Sequence, residues 1–196
     1  MEEIPFMEGK LMNTTNPKDA IAAFVSAPSV ILADIPDPSP QGWLMQQRTG
    51  GLEAKPETIR FVKERRLPRR QLHYVTFEDT QGKQRHFTCY VIEDSDGTWK
   101  VRGGSGGTGR GPKSTSPRVD LGGGEGEHFH AGGLVQHNGH AIVRVRLLSA
   151  NGVLLEDSVD DDIVLFLDDR WIDAPLQAQL YNRQGMLVGT HQVLPG

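Results

Sequence analysis

The stretch that decides the fold is "QLHYVTFEDTQGKQRHFTCYVIEDSDGTWKVRGG", residues 71–104. Its side chains alternate with period two. Leu72, Tyr74 and Thr76 fall on one face of an extended chain, and His73, Val75 and Phe77 on the other. Gln81-Gly82 and Asp96-Gly97 interrupt the alternation where a tight hairpin needs a residue free to take positive φ. The pattern predicts three antiparallel strands, over about 71–79, 84–93 and 98–102.

Upstream of this meander, "NPKDAIAAFVSAP" predicts a short amphipathic helix over about 17–27. Asn16 caps it, Pro17 suits its first position, and Ile21, Phe24 and Val25 form one apolar stripe that Pro28 ends. Val30, Ile31 and Leu32 read as a short buried strand, and the prolines at 36, 38 and 40 then hold an extended loop. "KPETIRFVKERRL" predicts a second short helix over about 56–66, with Ile59 and Val62 facing inward and Phe61 beside them.

Downstream the composition changes. Residues 103–140 hold 13 of the 23 glycines and few apolar residues, so they have little to bury against their ordering entropy. They read as a Gly-rich linker or an extended surface loop. Alternation then returns. "HAIVRVRLLSANGVLLEDS" is a hairpin around Asn151-Gly152, "DDIVLFLDD" a buried strand, and "PLQAQLYNRQGMLVGTHQV" a hairpin around Gln184-Gly185. The two hairpins echo each other at an offset of 33, which the shared grammar of hairpins explains.

The expected fold is therefore mainly β. An α+β N-terminal module (1–102) carries two short helices on a small antiparallel sheet. The Gly-rich linker or surface loop (103–140) joins it to a small all-β, sandwich-like C-terminal module (141–196). Helix, helix and a meander ending in "GTWKVRGG" resemble the nuclear-transport-factor-like superfamily, which implies a cone-shaped fold. That resemblance has no diagnostic motif and carries over no site residue.

Composition narrows the function classes. Net charge is −4 over 196 residues, with residues 1–102 balanced and residues 103–196 carrying the excess acid. No global field draws the chain to nucleic acid or membrane, so neither is expected as a partner. Cys89 is the single cysteine, which rules out an internal disulfide and agrees with a reducing compartment. The opening "MEEIPFMEGK" lacks the apolar core of a secretory signal, and no apolar run reaches the length of a membrane helix. A soluble, cytoplasmic protein is expected.

The stretch that most invites chemistry is "GGGEGEHFHAGG", residues 122–133. A His-x-His pair on a strand puts both rings on one face, as a divalent metal requires. His128, His130, His137 and His140 have ligand-like spacing, and Glu127 or Glu125 could add a carboxylate. Gly122, His128 and His130 resemble the first metal-binding motif of cupins, which implies a metal held in a β-barrel. The glutamate that family places four or five residues later is replaced here by Leu134 and Val135.

Other motifs fall short of their chemistry. Gly104, Gly106 and Gly109 match a phosphate-binding glycine pattern, and "GGTGRGPKST" mimics a nucleotide-binding loop. Neither is followed by the helix whose N-terminus would face the phosphates, and Pro112 replaces the lysine. His86 and Cys89, three residues apart on a strand, point to opposite faces.

Arg65, Arg66, Arg69 and Arg70 form a basic cluster suited to an acidic partner, and Trp43 in a proline-rich loop suits a binding anchor. The acidic run 156–162 could pair with those arginines inside the chain. The leading expectation is a non-enzymatic protein–protein interaction or accessory module whose partner is another protein, with homo-oligomers through sheet edges also open. No cofactor is expected by this reading. The alternatives are a metal-binding protein or metal-dependent enzyme at the histidine cluster, and a small-molecule binder with a pocket behind Tyr74, Phe87, Tyr90 and Trp99.

Overall fold

The computed structural model describes residues 14–36, 44–108, 115–124 and 128–194. Among the described residues the one α-helix, α1 (Pro17–Ser26), starts as the sequence predicts: the Asn16 side chain accepts the Lys18 N–H at 2.9 Å. A backbone hairpin follows, β1 (Ser29–Pro36) paired antiparallel with β2 (Leu44–Gly50). Trp43 and the rest of its loop lie outside the described residues.

The second helix is not formed. Pro56–Thr58 make a single 3-10 turn, and Arg60–Leu67 are strand β3. Helical spacing of Ile59 and Val62 loses to pairing: β3 hydrogen-bonds along β4 (Arg70–Glu78), with a bulge between Phe61 and Lys63. This also removes the element on which the likeness to the nuclear-transport-factor-like fold leaned. Then come β5 (Gln84–Glu93) and β6 (Trp99–Gly107), giving a front sheet ordered β3-β4-β5-β6. Gly82 and Gly97 take φ of 79° and 80° at its turns, where a Cβ would be strained.

The described residues of 103–140 are mostly strand rather than open loop. Besides the end of β6 they contribute β7 (Arg118–Gly124) and β8 (Phe129–Gln136). These join β11 (Ile163–Asp168) in a middle sheet ordered β11-β8-β7. The glycines serve close approach between layers. A Cβ on Gly132 would sit 2.6 Å from a Leu165 methyl and 2.9 Å from a Thr88 methyl, and one on Gly122 would collide with the Ser105 hydroxyl. The last sheet holds β9 (Ile142–Ser149), β10 (Leu154–Ser158), β12 (Leu176–Asn182) and β13 (Leu187–Leu194) in the order β10-β9-β12-β13.

The layers stack as helix, front sheet, middle sheet, back sheet. Ile21 and Val25 of α1 pack on Val75, Phe77, Cys89 and Val91. Fully burying each of these two side chains contributes about 1.5–3 kcal/mol, which fixes an otherwise marginal ten-residue helix. The opposite face of the front sheet, Leu72, Tyr74 and Tyr90, meets Ile163 and Leu165 of β11. The alternate residues of β11, Val164 and Phe166, meet Val145, Leu147, Leu176, Ala178 and Leu180 of the back sheet. The middle sheet is thus buried on both faces, which explains why β11 reads as an unbroken apolar run. The back sheet packs on a layer drawn largely from the glycine-rich segment. Among the described residues no helix is long and apolar enough to cross a membrane.

Candidate functional site

The front and middle sheets part at one end of their interface. Where they stay closed, Tyr90 and His130 stack with ring centroids 4.1 Å apart and an 11° interplanar angle. Gly103 offers its bare backbone to the His130 ring. One register step on, Thr88 and Ser105 are cross-strand partners, facing Gly132 and Gly122 of the middle sheet. Further on, an open cleft of about 260 Å³ is lined by Tyr74, His86, Thr88 and Ser105 on one wall and Asp120, Leu134 and Gln136 on the other. A hollow of about 370 Å³ adjoins it, sharing Tyr74, His86 and Leu134 and reaching Asp161.

Two features give the cleft chemical character. The Tyr74 and His86 rings stack nearly parallel, 5.7 Å apart at 10°, and make an aromatic wall. Burial pushes the His86 pKa below its ordinary value, so the imidazole is neutral near pH 7. Opposite, Asp120 accepts a hydrogen bond from the Gln136 amide at 2.7 Å, and its other oxygen pairs with Arg118. The carboxylate is thereby held in place and its charge offset. Thr88, only 3% exposed, adds a hydroxyl at the deep end, and Ser105 another beside it.

The pocket expected behind Tyr74, Phe87, Tyr90 and Trp99 does not form. Tyr74 and Tyr90 face the middle sheet, while Phe87 and Trp99 face α1 and pack into the other core. Phe24 fills the space over Phe87, with ring centroids 6.2 Å apart.

The four histidines do not converge. His128 precedes β8, with Nδ1 3.4 Å from the Asp169 carbonyl, and His130 is in the stack with Tyr90. His137 Nδ1 accepts the Ile142 N–H at 3.0 Å, which leaves Nε2 to donate to Asp162 at 2.8 Å, so both ring nitrogens are occupied. His140 is exposed in the turn that follows. Among the described residues no group of three His, Cys, Asp or Glu side chains is placed to hold a metal ion. Glu125 and Glu127 lie outside those residues.

The arginine cluster is paired within the chain. Arg65 meets Asp157, Arg66 meets Glu64 at 2.6 Å, Arg69 approaches Glu93 at 4.0 Å, and Arg70 meets Asp169. The pairing of the acidic run with these arginines is realised at Arg65–Asp157. Lys63 completes that contact. Its ammonium lies 2.8 Å from Asp157 and 2.9 Å from Asp160, and it donates to the carbonyls of Ser158 and Ile163. Burial pulls the Lys63 pKa down, and the Asp160 hydrogen bond raises it again.

Sequence reasoning missed the cleft residues because they come from five strands. The one signal was polar residues set among glycines on three strands: Ser105 on β6, Asp120 on β7 and Gln136 on β8. Comparison with known proteins adds no identity to this geometry: no family model, no curated protein and no solved structure matches the chain.

Proposed function

We propose that the chain is a non-enzymatic binding protein that takes a small molecule into the cleft between its front and middle sheets. The observation that supports this reading is the open cleft of about 260 Å³ itself, where the Tyr74 and His86 rings stand across from the polar groups of Asp120 and Gln136, with the Thr88 and Ser105 hydroxyls beside them. Asp120 is committed to Arg118 and Gln136, so it serves recognition better than proton transfer. The cleft is preferred here to a protein partner at the arginine cluster, whose side chains already meet carboxylates of their own chain.

Equilibrium dialysis against a cell metabolite extract, followed by mass spectrometry of what is retained, tests it. Retention of one species by the native protein, lost in a folded Leu134→Trp variant that fills the cleft, is the expected result. Equal retention by both, or by neither, overturns the reading.

A further inference from the structure

Resting on that reading, we infer that the ligand class is a neutral, polyhydroxylated ring, such as a monosaccharide unit. Three chemical features of the cleft point there together. The Tyr74 and His86 rings, stacked nearly parallel, stiffen one another along one wall, and an outer ring face can take the C–H face of a saturated ring. Across from it, Asp120 and Gln136 are planar groups joined by a 2.7 Å hydrogen bond. Such a pair accepts from and donates to adjacent hydroxyls in one plane. Thr88 and Ser105 supply hydroxyls that can act in either sense at the deep end.

Charge narrows the class. Among the described residues no Lys or Arg side chain lines the deeper cleft, so an anionic ligand meets no countercharge from them there. His86 stays neutral, and Arg118 already offsets Asp120. A phosphate or carboxylate would be desolvated without compensation, whereas hydroxyls find partners of both kinds. A purely apolar ring would strand the polar wall. The volume of about 260 Å³ suits one six-membered ring, and the adjoining hollow leaves room for a second.

The test uses the full chain and matched probes. Amide resonances of Gly106, Gly122 and Gly132 are followed while methyl β-glucoside, methyl β-galactoside, methyl α-mannoside, cyclohexanol or glucuronate is added. Saturable shifts from at least one methyl glycoside are expected, with cyclohexanol and glucuronate weaker by about ten-fold or more. Asp120→Asn should weaken the glycoside by about ten-fold as its charge-assisted hydrogen bonds are lost. Ser105→Ala is the second variant should Asp120→Asn fail to fold.

The corresponding disaccharide separates the two sources of such a ring. Tighter binding than the methyl glycoside assigns a chain end, and equal binding assigns a free sugar; both support the class. Saturable shifts from cyclohexanol alone, or from glucuronate best of all, overturn the class and leave the cleft as a binding site. No shift from any probe overturns both.

Discussion

Replacing Lys63 with methionine removes the ammonium but keeps the unbranched stem, and so isolates one charge. The Asp157 side chain is fully buried and that of Lys63 is 9% exposed, so their 2.8 Å contact is largely out of water. Asp157 also accepts the Leu165 N–H at 2.7 Å, which ties β10 to β11 while Lys63 ties both to β3. Without Lys63 the buried carboxylate keeps that amide and the half-exposed Arg65, and two carbonyls lose their donor. Breaking a buried pair on one side costs about 3–5 kcal/mol, and the remaining Arg65 contact favours the lower end.

Asp157→Asn should cost less, about 2 kcal/mol, since Asn still accepts the Leu165 N–H. The double variant has no buried charge and should fall short of the sum by about 2 kcal/mol. Urea unfolding of the four proteins, at one pH near 7, measures all three values. A cost below about 1 kcal/mol for Lys63→Met, or strict additivity, would refute the idea of a buried electrostatic clamp between the layers.

Leu165→Ala, in the doubly covered strand β11, should destabilise the fold by about 2–5 kcal/mol in urea unfolding, because neighbours on two sheets cannot both collapse into the gap. Stability should fall as pH drops from 6.5 toward 4, because burial lowers the His73 pKa from 6.5 to about 4. Above pH 6.5 both states are neutral and His73 contributes no slope. Below it the unfolded chain takes up the proton first, a loss approaching about 3 kcal/mol that His73→Leu should flatten in a pH series of unfolding midpoints. His86 and His130, also lowered by burial, add slope of the same sign. Gly133→Ala should cost about 3 kcal/mol or more by driving a methyl into the Asp120 carbonyl. Gly139→Ala meets no atom within 4 Å and should cost only the roughly 1–2 kcal/mol of a positive φ; equal thermal shifts for the two variants would contradict the close-packing account.

The strands of the meander and of the two C-terminal hairpins were legible because burial on a pleated sheet writes itself as alternation, and their turns as glycines at positive φ. β3 was illegible for a local reason. "TIRFVKERRL" has apolar residues at helical spacing and a run of four charges, Lys63 to Arg66, that suits a helix surface. Only the ladder to β4 and the inward anchor of Lys63 decide against it. The glycine-rich strands were misread for a deeper one. A residue without a side chain leaves no periodic trace, and whether it marks looseness or the closest packing depends on what faces it. Gly122 and Gly132 face Ser105 and Thr88, which no pattern within residues 103–140 could reveal. The histidines looked like a site because spacing along the chain was visible and direction was not. His130 turns to Tyr90, and His137 holds its own hairpin. The cleft is a property of three β-strand segments meeting two others, so it became visible only with the sheets in place.

Burial of the middle sheet on both faces also bears on how the chain is made. The front sheet is complete in sequence at Gly107, yet the cover over Leu72, Tyr74 and Tyr90 is finished only by β11, which begins at Ile163. At 5–20 residues per second, ribosomal synthesis of the intervening residues takes roughly 3–11 s. For that interval the aromatic and aliphatic face of the nascent chain is at best partly covered, by β8 alone. A message truncated between these two points would release a product with a sheet but no lid for it. Such fragments are natural clients for chaperones, and during synthesis of the intact protein that face stays incompletely covered until the last 34 residues begin to arrive.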